Sequence, residues 1–322
     1  MAASLLRIGT RGSDLALFQA RAVAAGLAAH GVPCEIVPIT TSGERFAEAA
    51  LSDIGGKNVF VKEIEEALAA RHVDLAVHSS KDLPAVLPAG FALAAVLPRE
   101  DPRDAVVLAA GAPPLASLDA LVAHLGRAPR LGTSSVRRAA QLVNLLPGAE
   151  CLPVRGNVGT RLRKLDEGQF DALVLAAAGL RRLGHQARMS LLLSPEACVP
   201  APGQGLIAVE VRADDTATRA HVATLDDAAG AAALDAERAV VERLGGGCQM
   251  PIGAYATLDG DRLTLSAVVL SLDGGRAVRA TASATRATAR DAGLAAAGDL
   301  LAAGAGEILA AITSTRGGAG PS

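Results

Sequence analysis

The order of strand-like and helix-like segments, part of which occurs twice, most constrains the fold of this 322-residue chain. Leu5 to Gly9 is predicted to be a strand, Ser13 to Ala29 a helix, and Glu35 to Thr40 the next strand. Short apolar runs that alternate with helical patterns are typical of α/β layers with parallel sheets. The length also exceeds what one hydrophobic core usually serves, so two or three domains are expected.

A weak internal repeat indicates two lobes of similar structure. In two places a predicted strand ends in Gly-Thr and is followed by a helix that begins with a hydroxyl residue. In both halves a further helix then leads into a further strand. The matching segments are residues 8–13 and 131–135, and residues 62–77 and 158–174. Two similar α/β lobes are therefore predicted.

Both Gly-Thr turns are candidate anion sites. A helix start offers unpaired backbone N–H groups and the positive end of the helix dipole, to which Ser13 and Ser135 would add hydroxyl groups. Ordinary N-capping by these two serines is the alternative. Arginines near predicted strand ends favour anion binding, because α/β sheets collect ligands there. These arginines are Arg11, Arg137, Arg138, Arg155, Arg161 and Arg182.

An acid and a base stand together after the strand that includes Val77. Lys81 and Asp82 lie in a loop that Pro84 ends, and an isolated pair of this kind is usually solvated surface. At the carboxyl end of a strand that faces an arginine-rich cleft, Asp82 becomes a candidate for stabilising a cation or moving a proton. Further on, the turn-rich connection from Pro200 to Gly205 is predicted to return the chain to the first lobe.

Cys248 follows three glycines and precedes Pro251. Glycines permit positive backbone angles and the close approach of another molecule, so a covalent or nucleophilic role is favoured over that of a small buried hydrophobe. The other cysteines are far apart, and no C-x-x-C pair indicates a zinc site or a thioredoxin-like motif. They are Cys34, Cys151 and Cys198.

Composition limits the partners and the compartment. One Tyr, five Phe and no Trp provide few platforms for stacking bases, and a net charge of −2 provides no overall field for a polyanion. The start lacks a basic segment followed by an apolar run, and no stretch of 18 apolar residues follows. We expect a cytoplasmic protein with reduced thiols and with neither nucleic acid nor membrane as a partner.

Taken together, these segments resemble the porphobilinogen deaminase (hydroxymethylbilane synthase) family. The matching segments follow the family's order between residues 8 and 253 and are highly specific as a set. They are residues 8–13, 55–57 with 60–63, 77–84, 99–104, 132–138, 155–162, 200–205 and 245–253. Asn58 stands where a glycine is common and Ser80 where a larger apolar residue is common, but neither removes a group that the reaction needs. The tail beyond about Thr285 carries no motif.

The resemblance implies a transferase of tetrapyrrole biosynthesis. It would deaminate porphobilinogen and join four molecules head to tail into hydroxymethylbilane, on a dipyrromethane cofactor bound through a thioether to Cys248. Asp82 would be the catalytic residue, stabilising the cation left by ammonia and passing protons. The cofactor would be held by Lys81, Thr133, Ser135, Arg137 and Arg138. Incoming or elongating pyrroles would be held by Arg11, Ser13, Gln19, Arg155, Arg161 and Arg182. No metal is implied.

The same resemblance implies an α/β fold of two lobes similar to periplasmic binding proteins, with a small α+β C-terminal domain. Domain 1 would span residues 1–102, completed by 201–222, and domain 2 residues 103–200. Domain 3 would span residues 223–322 and carry Cys248. Its predicted elements are a helix at 228–244, strands near 254–258, 263–270 and 276–282, and one terminal helix near 291–312. A monomer is expected.

Two other functions are left open by the residues themselves. A two-lobed carboxylate-binding or effector-sensing module would explain the arginines and the Gly-Thr turns without any chemistry. It would not explain Cys248 or Asp82. A cysteine hydrolase would need a histidine base near Cys248, and none is close in sequence, although a partner in space stays open.

Overall fold

The computed structural model describes residues 5–41, 61–247 and 249–317. The segment 55–57, Phe60 and Cys248, which the sequence singled out, lie outside the described residues. The chain forms two compact units. Unit 1 comprises Met1–Glu100 with Gly205–Ala231, and unit 2 comprises Asp101–Gln204 with Ala232–Ser322.

The described residues form strands and helices that alternate along only part of the chain. The strands are β1 (Leu6–Arg11), β2 (Cys34–Ile39), β3 (Leu75–Ser79), β4 (Phe91–Val96), β5 (Asp104–Val107), β6 (Arg130–Gly132), β7 (Glu150–Leu152), β8 (Ala172–Ala176), β9 (Leu191–Leu192), β10 (Ile207–Arg212), β11 (Ile252–Asp259), β12 (Arg262–Leu270) and β13 (Ala277–Thr285). The α-helices are α1 (Asp14–Ala29), α2 (Lys62–Ala69), α3 (Leu118–Leu125), α4 (Val136–Leu145), α5 (Val158–Asp166), α6 (Ala177–Arg182), α7 (Thr216–Val222), α8 (Ala228–Leu244), α9 (Ala289–Ala302) and α10 (Ala305–Gly317).

Unit 1 is built on a mixed sheet with strand order β2-β1-β3-β10-β4. Strand β1 is parallel to β2 and β3, whereas β10 is antiparallel to β3 and β4. Because side chains alternate between the faces of a sheet, each face of β3 has its own core. Leu75 and Val77 pack with Val23 and Leu27 of α1 on one face. Ala76 packs with α2 on the other face.

Unit 2 contains a second mixed sheet with strand order β7-β6-β8-β5-β9. Strand β6 is parallel to β7 and β8, and β5 is antiparallel to β8 and β9. The order and directions repeat those of unit 1, so the prediction of two similar lobes is confirmed. The expected parallel pairing is found for β1 with β2 and β3 and for β6 with β7 and β8, whereas β5 and β10 run antiparallel to their neighbours. Both strands come directly after a point where the chain passes from one unit to the other. Each strand therefore begins at the carboxyl ends of its neighbouring strands and runs antiparallel to them.

The connection that leads into β10 needs a glycine at its last position. Gly205 has φ +89°, and a Cβ there would collide with the backbone oxygen of Glu100. The backbone N–H of Glu100 donates to the Gly205 oxygen at 3.1 Å. The two segments that join the units therefore lie side by side in unit 1 with no room for a side chain between them.

The C-terminal part of unit 2 holds an antiparallel sheet with order β11-β12-β13. Glu237 of α8 is fully buried, and its carboxylate accepts from Gly203 N at 2.7 Å and Ala256 N at 2.8 Å. The single terminal helix expected near 291–312 is wrong, because α9 and α10 are separate helices. The helical conformation is interrupted at Gly304, whose φ of +97° cannot continue a right-handed helix.

Among the described residues, no single helix is long and apolar enough to cross a membrane. One bent pair, Arg286–Ala302 with Ala305–Ser314, passes that test only when both are taken together, and its members meet at 76°.

Candidate active site

A cleft in unit 1 brings together four residues predicted to act on the substrate. Strands β1 and β3 are parallel neighbours, so their carboxyl ends lie at the same edge of the sheet. Arg11 ends β1, and Asp82 lies in the 3-10 turn Ser80–Asp82 that follows β3. The side chains that line the cleft include Arg11, Ser13, Gln19, His78, Ser79 and Asp82. A cation, two hydroxyl groups and a half-buried carboxylate thus face one space.

The two serines predicted to begin helices, Ser13 and Ser135, differ in their capping contacts. Ser135 accepts a hydrogen bond from Arg138 N at 3.4 Å and so caps α4. Ser13 makes no side-chain capping bond to α1, although its backbone oxygen accepts from Leu17 N at 2.9 Å. Ordinary capping therefore accounts for Ser135, whereas the hydroxyl of Ser13 borders the cleft.

Gln19 has a protein partner at the base of the cleft. Its side chain is only 2% exposed, and its Nε2 donates to Ser79 Oγ at 2.8 Å. This bond ties α1 to the last residue of β3, just before the turn that carries Asp82. Gln19 therefore holds the wall of the cleft, and its predicted contact with substrate stays a prediction.

Arg137 and Arg138 begin α4 and are buried against Asp104, the first residue of β5. Arg137 Nη1 lies 2.8 Å from Asp104 Oδ2, and Arg138 Nε lies 2.8 Å from Oδ1. Gln204 Nε2 also donates to Oδ1, at 2.9 Å. Burial of Asp104 opposes its ionisation, but Arg137 and Arg138 outweigh that effect and hold its pKa well below the usual range.

These contacts supply protein partners for guanidinium groups that the sequence assigned to the cofactor. Arg137 Nη1 also donates to Val199 O at 2.6 Å, and Arg138 donates to Val174 O at 3.3 Å and Gln204 Oε1 at 3.2 Å. Two guanidinium groups share one carboxylate, so the cluster holds an excess positive charge. Within the described residues, Arg137 Nε is buried without a hydrogen-bond partner.

Cys198 is packed into the same cluster and is not a reactive thiol. Its side chain is fully buried, and its sulfur lies 3.4 Å from Asp104 Oδ2. Burial and the negative charge of Asp104 raise the pKa of the thiol to about 12. A thiol of this kind stays protonated and inaccessible, so Cys198 does not compete with Cys248 for a covalent role.

The other predicted basic residues of unit 2 also follow parallel strands. Arg155 and Arg161 flank the start of α5, where Asn157 accepts from Thr160 N at 2.9 Å as the helix cap. Arg161 Nε donates to Gly156 O at 2.8 Å, across a turn in which the glycine has φ +103°. The remaining predicted side chains are Thr133, buried after β6, Arg182, the last residue of α6, and Lys81, next to Asp82 in unit 1.

Three ionisable residues near the cleft were missed as functional candidates. His78 belongs to segment 77–84 and has no predicted role, and it lines the cleft. Its Nε2 lies 3.1 Å from Glu210 Oε2, and Glu65 of α2 is buried beside this pair. The available signal was Glu210 itself, a carboxylate inside the apolar run that precedes Val211. A buried acid in a strand needs a partner, but the sequence does not say which.

These features define a class of two-lobed α/β proteins with basic residues at the sheet edges, an acid in a cleft and an additional α+β part. Residues 6–220 match the family model described as porphobilinogen deaminase, dipyromethane cofactor binding domain, and residues 231–302 match the porphobilinogen deaminase C-terminal domain. The chain belongs to the porphobilinogen deaminase family, which confirms the resemblance seen in its motifs.

Curated relatives agree over nearly the whole length. The chain is 47% identical to a porphobilinogen deaminase of Syntrophobacter fumaroxidans, over 95% of this chain and 97% of the relative. It is 48% identical to that of Roseiflexus castenholzii, over 95% and 98%. Solved structures with some likeness include a periplasmic substrate-binding protein from Coxiella burnetii, at 13% identity and a TM-score of 0.42, covering 68% of this chain and 91% of that one.

Proposed function

We propose that this chain is a hydroxymethylbilane synthase, which deaminates porphobilinogen and joins four molecules head to tail with loss of ammonia at each step. The observation that carries the proposal is the convergence of Asp82 with Arg11 and Ser13 in one cleft, in a chain of this family. A binding module without chemistry is not favoured, because ligand binding alone gives no reason for a carboxylate among anion-binding groups. Carboxylates repel the acetate and propionate arms that the arginines attract.

Asp82 is the proposed catalytic residue. Its carboxylate would accept hydrogen bonds from pyrrole N–H groups and stabilise the positive charge that develops on the substrate as ammonia leaves. It would also take and return protons at its oxygens during carbon–carbon bond formation. Arg11 and Ser13 stand beside it and would bind the carboxylate arms of the substrate, with Gln19 keeping the wall in place. Arg155, Arg161 and Arg182 of unit 2 are proposed to hold the elongating chain.

The residues proposed for the cofactor fit an anionic group by charge. The cluster of Arg137, Arg138 and Asp104 holds one more positive than negative charge, and buried charge is favourable only when compensated. Arg137 Nε is a buried hydrogen-bond donor for which the described residues supply no acceptor. Lys81, Thr133 and Ser135 complete the proposed set. When bound, dipyrromethane supplies the covalent anchor on which the pyrrole chain grows, and Cys248 is proposed to carry it through a thioether.

The remaining expectations are parts of the same proposal. We propose three domains, with domain 1 at residues 1–102 and 201–222, domain 2 at 103–200 and domain 3 at 223–322. The shared strand order of the two sheets supports the first two. A cytoplasmic monomer that takes porphobilinogen as its substrate, without nucleic acid or membrane, is the assembly we expect.

Intact mass spectrometry of the purified enzyme, together with an assay of bilane formation, tests the proposal. The parent protein should be heavier than its sequence mass by roughly two pyrrole units, and Cys248→Ser should lose both this excess and the activity, because a hydroxyl is a far weaker nucleophile than a thiolate. Cys151→Ser is the matched control, since that thiol lies in β7 and has no proposed role. An unmodified enzyme that still forms bilane would refute the cofactor assignment, and a protein that forms none would refute the function.

A further inference from the structure

Three ionisable side chains are buried together behind the cleft of unit 1. His78 Nε2 lies 3.1 Å from Glu210 Oε2, and the two side chains are 4% and 0% exposed. Glu65 is 8% exposed and interacts electrostatically with both of them. The reaction as proposed above uses none of these three groups. A buried, ionisable cluster next to a catalytic carboxylate nevertheless needs a physical explanation.

The sheet register explains how the three residues meet. Strands β3 and β10 are antiparallel, with Ala208 opposite His78 and Glu210 opposite Ala76. These four residues therefore lie on the face that α2 covers, and Glu65 is a buried residue of that helix. Apolar side chains of α2 and of the neighbouring strands surround the cluster. Because the three side chains are buried, charges there interact more strongly than at the surface.

The charges of the cluster do not balance when both carboxyl groups are ionised. Two buried carboxylates would then face one imidazole, and the excess negative charge would be uncompensated. Among the described residues, Glu65 Oε1 and Glu210 Oε1 have no hydrogen-bond partner. A proton retained by the carboxyl groups would remove this excess negative charge. Burial, followed by the charge of Glu210, raises the pKa of Glu65 to about 7, while His78 acts in the opposite direction.

Several other charged groups near α2 have partners outside the cluster. Arg212 of β10 donates to Leu68 O at 3.0 Å and Val73 O at 2.9 Å, and it pairs with Asp215. On the solvent side of α2, Glu66 is 3.8 Å from Lys62 and 62% exposed. The remaining charged groups on the adjoining strands are Arg7 and Asp74, which bind each other, Arg11, which lines the cleft, and Glu63 of α2 itself.

The cluster is connected to Asp82 through a short piece of backbone. His78 is followed by Ser79, which ends β3, and then by the turn Ser80–Asp82. Ser80 N donates to Leu206 O at 3.0 Å, so the turn rests on the start of β10, the strand that carries Glu210. The His78–Glu210 contact and the turn thus depend on the same two neighbouring strands, β3 and β10.

We propose that Glu65, Glu210 and His78 form a buried network that holds one proton on its carboxyl groups and thereby positions the Ser80–Asp82 turn for the reaction. The inference rests on the proposed role of Asp82, and it makes the three residues positioning residues. Loss of the proton places a second negative charge in the apolar cluster and pushes Glu65 away from Glu210. The turn then loses its support, so kcat falls while KM changes less.

Glu65→Gln in the holoenzyme tests the network, because glutamine keeps the size of the protonated acid and cannot lose its proton. The ratio of kcat at about pH 8.5 to kcat at about pH 6.5 should be at least about threefold higher in Glu65→Gln than in the parent, since only the parent loses the proton in this range. Glu66→Gln is the matched control, as it removes an exposed carboxylate one position along the same helix. An unchanged ratio in Glu65→Gln, or an equal rise in Glu66→Gln, would overturn the proposal.

Difference infrared spectroscopy of the parent holoenzyme gives a second readout that needs neither activity nor the folding of a Glu65 variant. The C=O stretch of a protonated carboxyl group should disappear as the pH rises through about 7. In Glu210→Gln the disappearance should move to lower pH, because the repelling charge is gone. Absence of such a band in the parent overturns the network. A parent enzyme that forms no bilane refutes the proposed function instead, so the two failures are distinguishable.

Discussion

Replacement of Asp104 by asparagine should destabilise the protein strongly. Asp104 is fully buried and accepts from Arg137, Arg138 and Gln204 at 2.8, 2.8 and 2.9 Å. Asparagine keeps the shape of the side chain but removes the carboxylate that Arg137 and Arg138 share. Its NH₂ group would also face one of the N–H groups that donate to Asp104 in the parent. Two buried guanidinium groups are then left without a counter-ion. Breaking a buried ion pair in this way costs about 3–5 kcal/mol.

A nearby aspartate provides the matched control. Asp101 also binds two arginines, Arg103 at 2.8 Å and Arg181 at 3.1 Å, but their side chains are 38% and 41% exposed. Water can therefore solvate both guanidinium groups after Asp101→Asn, and the expected cost is about 1 kcal/mol or less. Comparison of Asp104→Asn with Asp101→Asn shows whether the loss of stability depends on burial of the arginine partners or only on the number of ion pairs.

Urea unfolding followed by circular dichroism at neutral pH measures both variants. The low pKa of Asp104 in the folded protein means that its contribution is present above the unfolded value of 3.8 and is lost as the pH falls through the folded value. The difference between parent and Asp104→Asn should thus be constant near neutrality and shrink in strong acid. A loss of less than about 1 kcal/mol, or one no larger than that of Asp101→Asn, would refute the reasoning.

Two further predictions concern the roles proposed for Asp82 and the arginines. Asp82→Asn should keep the cofactor, as measured by intact mass. Its rate of bilane formation should fall at least about a hundredfold, as expected when one preorganised charge is removed. A fall of less than about fivefold would contradict the proposed role of Asp82. Arg137→Leu and Arg138→Leu should accumulate as folded protein without the cofactor mass, and Arg137→Lys should rescue poorly because a point charge does not replace a planar fork. Arg182→Leu should carry the cofactor and stall in elongation, and normal cofactor content in both leucine variants at 137 and 138 would show that these arginines act only within the protein.

Local structure could be predicted from the sequence because it depends on neighbouring residues. The helix expected at the start of segment 62–77 is observed at Lys62–Ala69, and the one expected at 228–244 is observed at Ala228–Leu244. The direction of β5 and β10 could not be predicted, because it depends on the path of the chain between the units. The break at Gly304 was missed because single glycines also occur inside helices, and only the backbone angle shows that this one ends a helix.

In the candidate site, too, the positions of several residues could be predicted, whereas their distant partners could not. Arg11 and Asp82 were predicted from strand-end positions, Ser13 from a helix start and Gln19 from the family resemblance, and all four line one cleft. Arg11 and Asp82 meet there because parallel strands end at a common edge. The partners of the charged groups were not predicted. His78 and Glu210 are 132 residues apart, and Asp104 is 34 residues from Arg138. Counter-ions at such separations leave no local pattern in a single sequence.

The topology supplies a reason why both missed counter-ions stand where they do. In each sheet the parallel strands end at the functional edge, and the one inserted strand that runs in the opposite direction lies beside β3 or β8. Glu210 lies in the inserted strand β10, and Asp104 lies in the inserted strand β5. Asp104 lies opposite Ala176 at the carboxyl end of β8, whereas Glu210 lies opposite Ala76 of β3 and reaches His78 two residues further along that strand. Each strand that follows a crossing between the units therefore contributes one buried acid to its sheet.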